Sequence, residues 1–80
     1  MFIEYDSSSQ VVYLKLKHGE VVKTKEYKKE IFLDFDKHNK LLGIELLNLE
    51  DSLYLPEIAH KFSAPSLKKV HAEHLEEVYA

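Results

Sequence analysis

The sequence of 80 residues contains neither cysteine nor arginine. The lack of cysteine excludes disulfide bonds and metal sites built on thiolates. All eleven basic residues are lysine, so the side chain best suited to bidentate recognition of phosphate or guanine is missing. The net charge of −3 gives no overall attraction to nucleic acid or to an anionic membrane. The composition therefore argues against nucleic acid as a partner.

The sequence also lacks the segments that direct proteins into or across membranes. No apolar run approaches the length of a membrane span, and the first residues show neither the basic region nor the apolar region of a signal peptide. We therefore expect a cytoplasmic protein with no membrane partner. The length allows one domain, over residues 1–80, and a domain this short buries only ~60% of its unfolded surface. Dimerisation is a common way to stabilise so small a core.

Alternating apolar and polar residues predict about five antiparallel strands within residues 2–48. The clearest hairpin is Ile31–Asn48, whose turn is either the four residues Lys37–Lys40 or the two residues His38-Asn39. The alternating apolar set of the first strand has odd numbers and that of the second has even numbers. A turn of even length places both sets on the same face of the sheet, which we predict to be the core face. That predicted core set is Ile31, Leu33, Phe35, Leu42, Ile44 and Leu46. Gly43 interrupts the second strand and indicates a bulge or the close approach of another group.

The remaining strands are predicted at Phe2–Tyr5, Val11–Lys17 and Val21–Tyr27. Gly19 suits a tight turn, so we predict that the second and third strands pair with each other. The third strand is the most polar, which is typical of a sheet edge. Consecutive pairing of all five strands gives an antiparallel β-meander.

After Asn48 the apolar period changes to that of a helix. A stripe of apolar residues predicts a helix over residues 55–63, with Pro56 in its first turn. Pro65 opens a second predicted helix over residues 65–79, whose charges oppose the helix dipole and which should depend on packing. The predicted fold class is therefore α+β, with two C-terminal helices packed on one face of the sheet.

An ordered set of short motifs resembles a known family. The motifs are Tyr5-Asp6, Tyr13-Leu14, Thr24 with Glu26, Leu33-Asp34-Phe35-Asp36 and Leu42-Gly43-Ile44-Glu45-Leu46. They resemble the small prokaryotic proteins called domain of unknown function 2283, over roughly residues 2–53. The chain departs from that pattern at Gln10, where a second Asp is usual, and at Asn39, where a Gly turn is usual. The resemblance implies a compact, mostly β protein and no activity. Some relatives resemble the smaller partner of toxin–antitoxin-like gene pairs.

Two groups of side chains are candidates for chemistry. The acids Asp34, Asp36 and Glu45, with Asp6 and Glu26, could hold a cation or act as acid and base. Such work requires burial or a charged neighbour. We interpret Asp34 as part of a solvated strand face and Asp36 as the residue that starts a turn. Glu45 could accept a hydrogen bond from a tyrosine or pair with a lysine, and a hydrolase using Asp34 and Glu45 is the weakest alternative.

His71 and His74 are spaced i, i+3 on one face of the second predicted helix. This spacing could present two imidazoles to Zn²⁺. Alternatively, protonation of the two histidines near pH 6 could loosen an interface. The plainer interpretation is that both pack at the margin of a core or interface. The sequence predicts no catalytic, cofactor-binding or metal-binding residue and no cofactor, so we do not expect an enzyme.

Two surfaces of the predicted sheet are candidates for binding. The first is a lysine-rich ribbon on the second and third strands, which could bind nucleic acid weakly; its residues are Tyr13, Lys15, Lys17, Lys23, Lys25 and Tyr27. The second is the aromatic sheet face away from the helices, which we predict to be an interface. Its residues are Val11, Tyr13, Phe32, Leu41, Gly43, Glu45 and Leu47.

The predicted function is therefore a non-catalytic protein-interaction module that forms a homodimer or binds a small protein partner. The alternative is an antitoxin-like partner or a weak nucleic-acid-binding protein that uses the lysine-rich ribbon.

Overall fold

The structure is a computed structural model that describes residues 2–6, 8–9 and 11–69. Its five strands are β1 (Phe2–Asp6), β2 (Val11–Lys15), β3 (Lys23–Lys28), β4 (Ile31–Phe35) and β5 (Leu41–Leu46). They are followed by a 3-10 helix (Leu49–Tyr54), the α-helix α1 (Leu55–Lys61) and a second 3-10 helix (Pro65–Lys69). The α+β class and the five-stranded antiparallel sheet are confirmed.

The strand order is β1-β2-β5-β4-β3, so only part of the sheet is a meander. β3, β4 and β5 follow one another as antiparallel neighbours, but β2 pairs with β5. The predicted pairing of the second and third strands around Gly19 is therefore wrong. Residues 16–22 instead cross the ends of β5 and β4, where the Leu16 N–H donates to the Leu42 carbonyl at 2.8 Å and the Val22 N–H donates to the Phe35 carbonyl at 2.9 Å.

Burial explains this order. β5 is the most buried strand, since five of its six residues are buried, and the central position gives it two strand neighbours. β3 contains no fully buried residue and lies at the edge, as its polarity predicts. If β2 and β3 paired, β3 would lie inside the sheet, and either β5 or β1 would take its place as the edge strand.

The core lies between one face of the sheet and the helical segments. Its sheet members are Val12, Leu14, Ile31, Leu33, Phe35, Leu41, Ile44 and Leu46, and its other members are Leu55, Ile58, Ala59 and Leu67. Full burial of a Leu, Ile or Phe side chain stabilises the fold by about 1.5–3 kcal/mol. The prediction that helix residues cover one face of the sheet is confirmed for α1.

The β4–β5 turn differs from both predicted turns. Asp36 and Lys40 are joined by an N–H to carbonyl bond of 3.0 Å, which leaves the three residues 37–39 in the loop. Asp36 starts a type I turn, accepting from the Asn39 N–H at 3.1 Å, and Asn39 takes a positive φ of 62°. This is a common three-residue hairpin, and the expected roles of Asp36 and Asn39 are confirmed.

A β-bulge restores the register that an odd-length loop would otherwise change. The pairing shifts between Asp34 and Phe35, which leaves Leu42 as an extra residue on β5. Leu41 therefore belongs to the core and is 7% exposed, so its predicted place on the opposite face is wrong. Leu42 is buried, as predicted, but it lies outside that core cluster. It lies under Gly19, where an added Cβ would be 3.1 Å from the Leu42 Cδ2.

Asn48 begins the helical segment earlier than predicted. Its Oδ1 accepts from the Glu50 N–H at 3.0 Å, which makes Asn48 an N-cap. The 3-10 helix that follows continues directly into α1, and α1 ends at Lys61, two residues before the predicted end.

The predicted helix over residues 65–79 is described only at its start. Pro65–Lys69 form a 3-10 helix there and not the expected α-helix. His71 and His74 lie outside the described residues.

Candidate functional site

In the part of the chain that the structure describes, the helical segments pack on the core face and leave the opposite face of the sheet without a helix. We call this opposite face the uncovered face. The pairing register assigns to it Phe2, Glu4 and Asp6 of β1, Val11, Tyr13 and Lys15 of β2, Gly43 and Glu45 of β5, Phe32 and Asp34 of β4, and Thr24 and Glu26 of β3.

A side-chain cluster at the centre of the uncovered face joins four strands. The Tyr13 Oη donates to the Asp34 Oδ2 at 2.8 Å, and the Thr24 Oγ1 donates to the Asp34 Oδ1 at 2.6 Å. To reach β4, the Tyr13 ring crosses β5 over Gly43, where an added Cβ would overlap the Tyr13 Oη and Cζ. The prediction that Gly43 marks the close approach of another group is confirmed.

The electrostatics of the cluster keep Tyr13 protonated. Burial, then the hydrogen bond to Asp34, then the negative charges of Asp34, Glu45 and Glu4 raise the pKa of the Tyr13 hydroxyl well above its usual value. A tyrosine in this state is a hydrogen-bond donor and not a general base. Both oxygens of Asp34 already accept a hydrogen bond, so the arrangement is suited to holding strands together.

Two of the other candidate acids, Asp36 and Asp6, accept hydrogen bonds from turn residues, whereas Glu45 and Glu26 lie in β5 and β3. The Asp36 Oδ1 accepts from the N–H groups of His38 at 2.8 Å and Lys40 at 2.9 Å, and the bond from Lys40 is the largest cause of the lowered pKa of Asp36. The Asp6 Oδ1 accepts from the Ser8 hydroxyl and N–H, which lower the pKa of Asp6 in that order. The interpretation of Asp36 as a turn residue is confirmed. Within the described residues no group of three His, Cys, Asp or Glu could hold a metal ion.

The structure brings together most of the predicted interface residues. Tyr13, Phe32, Gly43 and Glu45 share the uncovered face, and Glu45 lies directly between Tyr13 and Phe32 in the register. Tyr13 and Phe32 are only half-buried. Leu47 follows β5 and is 40% exposed.

The uncovered face is strongly acidic. Its charged side chains are five carboxylates and one lysine, Lys15. Glu4, Glu45 and Asp34 surround Tyr13 closely enough to act on its pKa. Aromatic groups on this face are therefore enclosed by negative charge.

The lysine-rich ribbon predicted from the sequence is not formed, because β5 and β4 separate β2 from β3. Lys15 lies on the uncovered face, whereas Lys23 and Lys25 pair with the core-face residues Phe35 and Leu33. The nucleic-acid surface proposed for that ribbon is therefore wrong in its geometry. The lysines of β3 instead form part of a separate groove on the core side.

A comparison with protein families matches residues 3–49 to the family described as Protein of unknown function (DUF2283). The chain belongs to this family. The match confirms the resemblance drawn from the motifs, and comparisons with curated proteins and with solved structures gave no match. In this DUF2283 protein the motif residues Tyr13, Thr24, Asp34 and Gly43 are the members of the side-chain cluster. Among the described residues, no helix is both long enough and apolar enough to cross a membrane.

Sequence reasoning identified each of these four residues but not their contacts. Gly43 inside a strand was the available signal, because it indicated that some group lay over it. The strand order was needed to show that this group is Tyr13, since Tyr13 and Gly43 are 30 residues apart, on strands that a meander would not have made neighbours.

Proposed function

We propose that this DUF2283 protein is a non-catalytic protein-interaction module that binds a partner through its uncovered face. The observation that carries the proposal is the composition of that face: half-buried Tyr13 and Phe32 enclosed by five carboxylates and one lysine. Aromatic side chains are enriched in protein interfaces, where they supply much of the binding energy. The chemistry of the cluster supports the non-catalytic part, because Tyr13 is held protonated and each Asp34 oxygen accepts a hydrogen bond from another strand.

The charge of the face favours a partner with a basic surface. Complementary charge steers association and excludes wrong partners, whereas like charges placed opposite each other cost free energy. A homodimer through this face would bring two acidic surfaces together. The homodimer expected from the sequence stays a prediction, and it requires an offset that separates Glu4, Glu45 and Glu26 from their copies. An antitoxin-like role is one form of the proposed function, since it also consists of binding a protein partner.

Two variants with the same change in net charge test the proposal. Glu4→Lys with Glu45→Lys alters the uncovered face, and Glu20→Lys with Glu50→Lys alters exposed positions elsewhere. We expect a basic protein from the native cytoplasm to be retained by the wild type and by the second variant but not by the first. Retention of the same proteins by all three forms would contradict the proposal.

Salt separates the two kinds of partner. Light scattering at about 0.05 M and 0.5 M NaCl reports the oligomeric state, and the screening length falls about threefold between these concentrations. A homodimer through the uncovered face should strengthen as salt screens its carboxylates. Binding to a basic partner should weaken over the same range.

A further inference from the structure

A second surface lies on the core side of β3. A groove of about 360 Å³ runs along this edge strand beside the end of α1. Its floor is aromatic: the Phe62 ring centroid is 6.1 Å from that of Tyr27 and 5.7 Å from that of Phe35. Lys23, Lys25, Lys61 and the acid Glu26 line it, and both Glu57 and Lys28 lie beside Tyr27. The groove is therefore basic, in contrast to the uncovered face.

The lysine side chains are held over the rings. The Lys23 Nζ is 5.4 Å from the Phe35 centroid and donates to the Asn39 Oδ1. The Lys61 Nζ is 5.4 Å from the Tyr27 centroid. These cation–π contacts hold two ammonium groups at the groove and leave their remaining protons free to donate to an anion.

The backbone of β3 adds a second means of binding. β3 is the last strand in the sheet order, so within residues 2–69 as far as the structure describes them, one side of its backbone has no strand neighbour. Such an edge accepts an added strand unless charge prevents it. Lys23 and Lys25 share one side of β3, about 6.8 Å apart. They repel a second copy of β3 and match carboxylates placed at alternate positions of an extended peptide.

We infer that the β3 edge binds an acidic, extended segment of a partner protein as an added β-strand, with carboxylates at alternate positions bonded to Lys23, Lys25 and Lys61. The inference does not depend on the function proposed for the uncovered face, because the lysines and rings of the groove lie on the core side of β3 and Glu26 at the strand edge is the one residue named for both surfaces. Charge complementarity and the open strand edge identify the occupant.

A single-stranded nucleic acid fits the groove less well than a peptide. Nucleic acids bind such surfaces by stacking bases on exposed aromatic faces. Here lysine ammonium groups already lie over the Tyr27 and Phe35 rings, and Phe35 is only 5% exposed. The groove therefore offers hydrogen-bond donors and a strand edge, and lysines cover two of its three rings and leave Phe62 for stacking.

The test uses fluorescence anisotropy with the full chain and a labelled peptide that alternates Val and Glu. We expect binding to the wild type and a loss of roughly tenfold in affinity, about 1.4 kcal/mol, for Lys23→Gln with Lys25→Gln. The matched control, Lys29→Gln with Lys37→Gln, removes the same charge from exposed turns and should bind as the wild type does. Equal affinity for the two variants would overturn the inference.

Two further probes separate strand addition from simple charge attraction. The same peptide with every backbone amide N-methylated keeps its carboxylates but has no N–H group on either edge to donate to β3, so its binding should be lost. If it binds as well as the parent peptide, strand addition is wrong. A labelled oligothymidylate that binds more tightly than the peptide, with the same loss on Lys23→Gln and Lys25→Gln, would identify a nucleic-acid surface and overturn the peptide assignment.

Discussion

Replacing Gly43 with alanine should destabilise the fold by far more than one methyl group ordinarily does. The new Cβ would overlap the Tyr13 Oη and Cζ, so the ring must leave its place and its bond to Asp34 must break. Overpacking costs about 1–3 kcal/mol, and a hydrogen bond to a charged group contributes about 1.5–3 kcal/mol. Tyr13 is only half-buried, so the low end of both ranges applies, and alanine itself gains ~0.5–1 kcal/mol over glycine in a strand. The expected net loss is about 2 kcal/mol.

A double-mutant cycle tests the cause of this loss. In a Tyr13→Ala background the added methyl meets no ring, so Gly43→Ala should be neutral or slightly stabilising. The interaction energy between the two positions should therefore be about 2 kcal/mol, well above the ~0.3–0.5 kcal/mol found for independent sites. Gly19→Ala is the matched control, because its Cβ would meet only the flexible Leu42 side chain, at 3.1 Å.

Urea denaturation followed by circular dichroism measures all four forms and the control. For a domain of this size, a loss of about 2 kcal/mol lowers the melting temperature by roughly 8–16 °C. The reasoning is refuted if Gly43→Ala costs no more than Gly19→Ala, or if it costs the same with and without the Tyr13 ring.

Three further predictions follow from the structure. The fold raises the Tyr13 pKa above its ordinary value of about 10, so the stability that protonated Tyr13 contributes is complete below that pH and is lost as the pH rises further. Urea titrations from pH 8 to 11 should therefore show that the free energy of unfolding falls more steeply for the wild type than for Tyr13→Phe. Leu41→Ala should cost about 2–5 kcal/mol and Leu47→Ala less than 1 kcal/mol, since the bulge places only the first in the core; equal losses in urea denaturation would argue against the bulge. Asn48→Ala should cost about 1 kcal/mol through loss of the N-cap, whereas Asn48→Asp should retain most of that stability in thermal unfolding.

Much of the local structure could be predicted from the sequence. Apolar alternation located the five strands, and the helical period with Pro56 located α1 to within two residues of its end. These features depend on neighbouring residues, which a sequence shows directly. The N-cap was missed although its signal was present, since Asn48 precedes two acidic residues within the next three positions.

The strand order could not be predicted in the same way. Residues around Gly19 satisfy the local rules of a tight hairpin, and nothing in them shows that the chain crosses two strand ends instead. The choice is made by burial elsewhere, because β5 has to be central for its residues to be covered on both sides. The β-bulge in β5 could not be predicted from the sequence either. An even-length loop and a three-residue loop followed by a bulge give the same pairing of Leu33 with Ile44, and the adjacent leucines Leu41 and Leu42 fit either arrangement.

The side-chain cluster connects the family motifs to this strand order. Tyr13 of β2 can reach Asp34 of β4 because a single strand separates them and because that strand has glycine at the crossing point. In a consecutive meander, β3 would lie beside β2 in that place, and the Tyr13 ring would not cross Gly43. Motifs that look like separate candidates for chemistry therefore act together to select β5 as the neighbour of β2. Because the motif residues serve to hold the strands in this order, we expect binding at the surfaces around the cluster. These are the acidic aromatic face that contains the cluster and the basic edge of β3.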